Sequence, residues 1–319
     1  MQKVLVTGGA GFIGSNFIRC MLNKYSDLHI TNLDKLTYAG NLDNLDGLEK
    51  NPNYKFVKGD IADKKIVASV TKDVDLIVNF AAESHVDRSI NGCQPFIETN
   101  ILGTATLLQA ANERKIKFIQ ISTDEVYGSS KDYSFKETDI LNPSSPYSAS
   151  KASADLLALS FHATHNLPVI ITRTTNNFGP YQYPEKLIPL FITNLLTEKK
   201  VPLYGTGKNI RDWIYVEDNC NAIDFVSKKG KVGEIYNIAG KNEKTNIEIT
   251  ETILANLKKD KSMIQYVQDR LGHDFRYSLN IDKIKKLGWQ PEHNFSEAIN
   301  KTIEWYKENT VWWNKLKNS

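Results

Sequence analysis

A doubly wound α/β fold, with a parallel sheet covered on both faces and a smaller second lobe, is predicted for this chain by three observations. Short β-branched runs alternate with longer helical patterns through the first half, and those runs are almost wholly apolar. A glycine-rich turn stands between the first run and the first helix. Taken in order, Val4-Leu5-Val6 precedes that turn and a helical pattern at 12–22. Strand-like runs follow at 29–33, 54–57, 76–80, 117–122 and 169–172, with helical stretches at 97–114 and 149–162 between them.

Beyond about Arg173 the rhythm breaks, and Gly179, Pro180, Pro184, Pro189, Pro202, Gly205 and Gly207 cluster. This divides the chain into a first domain at 1–175 and a smaller lobe at 176–319. The segment 211–239 reads strand–helix–strand and is expected to return to the large domain. Amphipathic helices are predicted at 246–258 and 296–309. Trp305, Tyr306, Trp312 and Trp313 recur at helical spacing, so core packing explains them better than a sugar-stacking surface.

Composition narrows the function classes. A length of 319 residues suits two domains, and 41% hydrophobic with 24% charged residues excludes a disordered or collagen-like chain. The formal charge of +3 argues against a nucleic-acid partner, which calls for a concentrated basic surface. Cys20, Cys93 and Cys220 are odd in number and far apart, with neither a disulfide framework nor a zinc spacing. No resident metal is expected. The first apolar run ends at Thr7-Gly8-Gly9, too short for a signal peptide, and no stretch approaches the ~20 apolar residues of a membrane span. A cytoplasmic protein with no membrane partner is the expectation.

Gly8-Gly9-Ala10-Gly11-Phe12-Ile13-Gly14 sits between a strand and a helix. Glycines are needed there because a pyrophosphate must reach backbone N–H groups at a helix N-terminus with no Cβ in the way. Asp34 closes the second strand, at the distance where a carboxylate accepts hydrogen bonds from an adenosine ribose and repels a 2′-phosphate. NAD is therefore the expected cofactor, with Lys35 beside that carboxylate. Asp60 and Ile61, just past the third strand, are placed to meet the adenine. Strand-end caps and turn residues are the competing readings of Asp34 and Asp60.

Tyr147 and Lys151 stand at i and i+4, on one face of a predicted helix. A lysine cation beside a tyrosine favours the phenolate, which can take a proton from an alcohol as hydride leaves the same carbon. Thr123, Asp124 and Glu125 run off the end of a parallel strand, where ligands of doubly wound sheets bind. Thr123 offers a hydroxyl to the reacting oxygen. Two adjacent carboxylates can divide acid and base work if their environments push their pKa values apart. An acidic turn at a strand end is the bland alternative.

These residues carry a resemblance to the extended short-chain dehydrogenase/reductase family, of Rossmann type, and within it to the dTDP-glucose 4,6-dehydratases. It rests on TGGAGFIGSNF, NLDKLTYAGN, NFAAESHVDRSI, ETNILGT, STDEVYG, YSASKA, NNFGPYQYPEKLIPL, RDWIYVEDNC and DRLGHDFRY. The resemblance implies a lyase of dTDP-glucose that contributes to deoxysugar-nucleotide biosynthesis, rhamnose-type sugars included. Tyr147, with Lys151, would take the 4-hydroxyl proton while Thr123 bonds that oxygen and hydride passes to tightly bound NAD⁺. Glu125 would remove the C5 proton and Asp124, held protonated, would protonate the leaving C6 hydroxyl. Hydride would then return to C6.

The same resemblance places further residues. Phe12, Ile13, Lys35, Leu36, Thr37, Tyr38, Gly40, Ala81, Ala82, Ser84, Thr99 and Asn176 fall where the family contacts NAD. Ser84, His85, Asp87, Asn177, Lys186, Leu187, Pro189, Pro202, Tyr204, Arg211, Asn246, Arg270, His273 and Tyr277 fall on the nucleotide-sugar site. Leu271 and Phe275 depart from the family's proline and arginine, and Thr174-Thr175 from its Cys-Ser. A homodimer through 97–114 and 149–162 is also implied. The alternatives are a sugar-nucleotide 4-epimerase built on the same Tyr–Lys core, a dehydratase of another nucleoside-diphosphate glucose, and a non-catalytic nucleotide sensor.

Overall fold

Seven parallel strands form the central sheet in the structure, a computed structural model that describes residues 2–269 and 274–317. The chain runs β1 (Gln2–Thr7), α1 (Phe12–Lys24), β2 (Leu28–Asp34), β3 (Tyr54–Lys58), α2 (Lys64–Val70) and β4 (Leu76–Asn79). It continues through α3 (Val86–Asn91), α4 (Gln94–Phe96), π-helical turns at Ile97–Gly103, α5 (Thr104–Arg114) and β5 (Lys117–Thr123). A 3-10 turn (Asp124–Tyr127), α6 (Pro146–His165) and β6 (Val169–Thr174) complete the first part. Then come β7 (Asn176–Phe178), α7 (Leu187–Leu196), β8 (Val201–Tyr204), β9 (Ile210–Tyr215), α8 (Val216–Lys229) and β10 (Ile235–Ile238). The last elements are β11 (Glu243–Thr245), α9 (Asn246–Asn256), β12 (Ile264–Val267), α10 (Asp282–Lys286), α11 (Phe295–Glu308) and α12 (Thr310–Lys317).

The strand order β10-β6-β5-β4-β1-β2-β3 reverses direction between β1 and β4, and the crevice beyond the strand ends there is the binding position of such sheets. Alternation explains why the strands read as continuous apolar runs. Val4, Val6, Ile119, Ile121 and Ile170 pack on one face with Phe17 and Ile18 of α1 and Ile223 and Val226 of α8. Leu5, Ile77, Phe118, Val169 and Ile171 pack on the other with Val67, Leu107, Ala111 and Ala158. Each such Val, Leu, Ile or Phe side chain contributes about 1.5–3 kcal/mol on burial.

The smaller lobe has a three-stranded sheet, β11-β9-β7, and a two-stranded one, β12-β8. Its core is aromatic: Phe178, Trp213, Tyr215, Phe295, Tyr306, Trp312 and Trp313 are buried together. Of the tryptophans expected to be core, Trp312 and Trp313 are buried with their N–H groups satisfied, and Trp305 packs half-buried against them. Trp313 Nε1 donates to Tyr306 O at 2.8 Å, and Trp312 Nε1 to Asn44 Oδ1 at 2.9 Å, which ties the C-terminal helix to the large lobe.

Two elements differ from the sequence reading. The stretch 97–114 opens in π-helical turns, which point Thr99 into the cleft. Asn100 there bonds Glu83 N–H at 2.9 Å and Ser150 Oγ at 2.8 Å. Of 211–239, only α8 and β10 join the large lobe, while β9 pairs with β7 and β11. Its alternation is the reason: Trp213 and Tyr215 enter the small-lobe core and Ile214 the large one.

Candidate active site

A cleft of about 320 Å³ opens at the strand ends between the two lobes. Gly8, with φ +70°, turns the chain out of β1, and its N–H donates to Leu33 O at 2.9 Å. A Cβ at Gly8 would stand 2.6 Å from Ala81 N, and one at Gly14 would stand 2.4 Å from Gly8 O. Only glycine fits either place. Asp34 is aimed by two backbone donors, Ala10 N and Leu36 N, each at 2.8 Å. Burial raises its pKa and those two bonds oppose the rise. Lys35 pairs with Asp60 at 2.7 Å.

Gly11, Phe12, Ile13, Thr37, Tyr38, Gly40, Ile61, Ala81, Ala82, Ser84, Thr99 and Asn176 line the same cleft with those groups. Leu36 does not. It holds φ +56° and lends its backbone to Asp34.

At the other end of the cleft α6 begins with a complete capping box. Ser145 Oγ accepts from Ser148 N, Ser148 Oγ accepts from Ser145 N, and Pro146 takes the first turn. This fixes Tyr147 and, one turn on, Lys151, both buried in the cleft wall. Lys151 Nζ donates to Ile121 O at 2.6 Å. Burial lowers its pKa to about 8, against the pull of Asp155. Tyr147 differs from the expectation that a neighbouring lysine lowers its pKa. Burial, Glu125 and Asp124 all raise it, and Thr123 is the hydrogen-bonding neighbour that opposes them.

Asp124 is 4% exposed, and its pKa lies well above the usual carboxylate range, first through burial and then through Glu125 beside it. Both causes favour the neutral acid over the carboxylate. Thr123 Oγ1 donates to Asp124 Oδ1 at 3.2 Å and accepts from Glu125 N at 3.3 Å. A buried acid, a second carboxylate, a hydroxyl, a tyrosine and a lysine thus share one wall.

The sugar-side residues are more dispersed. Asn177 and Lys186 line the cleft, the latter donating from Nζ to Ser84 O at 3.3 Å. His85 caps α3 and stands 3.6 Å from Glu185, and burial lowers its pKa. Asp87 follows in the same helix, outside the lining. The guanidinium of Arg211 bonds the carbonyls of Ile210 at 2.7 Å and Asp274 at 2.9 Å, and lies 4.4 Å from the Tyr277 ring centre. Tyr277 donates to Asp274, and Asn246 opens α9. Leu187 and Pro189 belong to α7 packing, and Pro202 and Tyr204 to β8, outside the lining. Arg270, Leu271 and His273 lie outside the described residues.

Comparisons with known proteins show the family. The family model for GDP-mannose 4,6 dehydratase matches residues 5–302. The low-salt glycan biosynthesis protein Agl12 of Haloferax volcanii is 54% identical, covering 96% of this chain and 98% of its own. The dTDP-glucose 4,6-dehydratase of Streptomyces niveus is 49% identical over 99% of this chain and 96% of its own. The crystal structure of the Bacillus anthracis dTDP-glucose 4,6-dehydratase in complex with NAD is 51% identical, with a TM-score of 0.94 over 99% of this chain and all of that one. This chain belongs to the dTDP-glucose 4,6-dehydratase family. A UDP-glucuronic acid 4-epimerase from Bacillus cereus shares the fold at TM-score 0.91 but only 28% identity, covering 96% of this chain and 99% of its own.

The dehydratase cleft also holds residues that the sequence reading did not assign: Glu83, Gln182, Tyr183 and Glu185. Arg88 bridges this group, 3.6 Å from the Tyr38 ring centre and 3.4 Å from Glu185. The signal for Gln182, Tyr183 and Glu185 was the density of polar residues within a Pro/Gly segment next to Asn176 and Asn177, whereas Glu83 follows β4, directly before Ser84. The residues present fit a dinucleotide. The glycine turn is a cradle that a Cβ would fill, and Thr175 Oγ1, Asn176 Oδ1, Asn177 Oδ1 and Gln182 Oε1 are buried on lining residues with no protein partner. Such atoms call for a ligand or water partner.

Proposed function

We propose that this chain converts dTDP-glucose to dTDP-4-dehydro-6-deoxyglucose, with NAD as resident cofactor. The glycine turn would hold its pyrophosphate and Asp34 its ribose, while Lys35, held by Asp60, is not offered to a 2′-phosphate. Bound there, NAD supplies hydride acceptance and return at the sugar.

The chain's own groups divide the proton work. Tyr147 takes the proton of the sugar 4-hydroxyl, with Thr123 bonded to the same oxygen. Glu125 removes the C5 proton, acidified by the neighbouring ketone. Asp124 gives its proton to the departing C6 hydroxyl, and water leaves. The observation that carries this reading is the buried Asp124, its pKa raised by burial and by Glu125 beside it, in the same wall as Tyr147 and Lys151. A 4-epimerase has no step that needs a buried acid at that point.

Incubation with dTDP-, UDP-, GDP- and CDP-glucose, read as 4-keto-6-deoxy product and deuterium uptake at C5, tests it. The dTDP sugar is expected to lead. Recovery of dTDP-galactose alone would overturn the reading in favour of epimerisation.

Pairing of two copies is supported by Ile97 and Leu102 on the π-helical turns, Leu156 on α6 and Ile90 on α3, all exposed on elements packed against one another. Light scattering is expected to give twice the 36.1 kDa chain mass. No helix among the described residues is long and apolar enough to cross a membrane. Cys20, Cys93 and Cys220 are free thiols, which suits the reducing cytoplasm.

A further inference from the structure

Beneath the cleft wall lies a buried ion pair that none of the proton steps uses. Asp155 on α6 is 0% exposed and Arg173 on β6 is 2% exposed. Asp155 Oδ2 accepts from Arg173 Nε at 2.9 Å and from Ser122 Oγ at 3.0 Å. The guanidinium lies 4.7 Å from the centre of the Tyr127 ring, which stacks on Phe135 at 5.1 Å. Tyr127 donates its hydroxyl proton to Asn237 Oδ1 at 2.9 Å. Ser122 immediately precedes the reactive segment and Tyr127 closes the 3-10 turn that carries it. The pair therefore grips that turn at both ends. Lys151 sits one helical turn before Asp155 on the same face of α6.

Stability alone is a weak reason to keep such a pair, because apolar residues of similar volume commonly replace buried ion pairs without loss. We propose that Asp155 and Arg173 are positioning residues: they hold Thr123, Asp124 and Glu125 against α6 and keep Lys151 charged beside Tyr147. Neither lines the cleft, so both act through Ser122, Tyr127 and Lys151. The charged or titratable groups around Lys151 are Tyr147 and Asp155 on α6, Asp124 and Glu125 on the turn, Arg173 on β6 and Glu83 across the lining. Asp155 is the one that raises the Lys151 pKa against burial.

The kinetic half of the test rests on the function proposed above; the labelling half does not. Competitive acetylation of the intact protein by acetic anhydride, read by mass spectrometry across pH, reports the Lys151 midpoint. It is expected near pH 8 in the native chain and at least about half a unit lower in the Asp155→Leu/Arg173→Met double variant, whose apolar pair keeps the core filled. Asp155→Asn, which retains an acceptor for Ser122, is expected to move it the same way. In the double variant kcat should fall about 10–100-fold, with KM for the sugar nucleotide within about twofold, as for a displaced reactive group. The high-pH limb of the rate, where Lys151 loses its proton, should move down with the midpoint. A variant with a native thermal transition and an unmoved midpoint overturns the proposal. A native chain inactive on every sugar nucleotide overturns the function, and the labelling comparison still decides the pair.

Discussion

The two walls of the cleft are built differently. The large lobe supplies its groups from strand ends and one capped helix: Thr123 ends β5, Asp124 and Glu125 follow directly, and Tyr147 and Lys151 ride the first turns of α6. The small lobe supplies its side from loops and from residues that bond one another. Arg211 is occupied with backbone carbonyls, Tyr277 with Asp274, and Gln182 donates from Nε2 to Asn177 O at 2.9 Å. The first wall presents the groups assigned to proton transfer, and the second presents polar atoms of Asn177 and Gln182 that a ligand can pair. Substitutions in the first should therefore lower kcat, and those in the second should raise KM.

The largest effect is expected at Tyr147. Tyr147→Phe removes the proton acceptor for the 4-hydroxyl, so product formation should fall by about 10⁴-fold, the upper end for a general base. Deuterium uptake at C5 should vanish as well, because no ketone forms to acidify that proton. Initial rates and proton NMR of the recovered sugar check both. Uptake at C5 without product would break the assigned order of steps.

Next come the carboxylates, expected to cost about 10²–10⁴-fold each in dehydration and to fail differently. Asp124→Asn keeps the shape but has no proton to give, so a 4-keto sugar that has not lost water should accumulate while C5 exchanges with solvent. Glu125→Gln should retain oxidation at C4 and suppress that exchange. If both variants dehydrate at the native rate, the pair is an ordinary strand-end turn and the lyase reading loses its support. A smaller change is expected across the cleft. Asn177→Ala removes a side chain with an unpartnered buried Oδ1, and should raise KM about tenfold with kcat within about threefold, the scale of one hydrogen bond to a ligand. A kcat loss as large as that of Asp124→Asn would erase the difference between the walls.

This difference also governs what could be read from the sequence. The large sheet is legible because its inner strands bury both faces and its longer helices show a period, while the edge strand β3 is only half-buried. The glycine turn and the Tyr–Lys spacing are local patterns whose geometry follows from one strand, one turn or one helix. Glu185 and Arg88 come together only through tertiary packing, since they are 97 residues apart. The π-helical turns at Ile97–Gly103 have no periodic signature distinct from an α-helix. The segment 211–239 reads as one strand–helix–strand unit of the large domain, yet β9 pairs in the smaller sheet: its residues alternate between two cores, and alternation does not reveal which sheet supplies the hydrogen bonds.

The smallest effect on turnover is expected on that same strand, where a change in stability should be the main readout. Asp212 is 1% exposed and accepts from Asn242 N at 2.8 Å and Lys241 N at 3.3 Å. Burial, with Glu243 acting the same way, raises its pKa to about 6 against those bonds. An unfolded aspartate titrates near ~3.9, so between about pH 4 and 6 the folded chain binds more protons than the unfolded one, and stability falls as pH rises. The contribution of neutral Asp212 is complete below about pH 4 and lost by about pH 6, an amount of roughly 2–3 kcal/mol. Asp60, Asp224 and Glu243, whose pKa values are lowered, slope the other way, so the difference between native and variant curves is the informative quantity. Asp212→Asn cannot ionise. Its unfolding free energy should gain on the native chain by that amount between pH 4 and 7, measured by denaturant titration at each pH. Because Asp212 is also among the groups that raise the Asp124 pKa, the variant should shift the loss of dehydration at high pH slightly downward. A flat difference curve would mean that Asp212 is ionised throughout and that the seam between the lobes carries a charge.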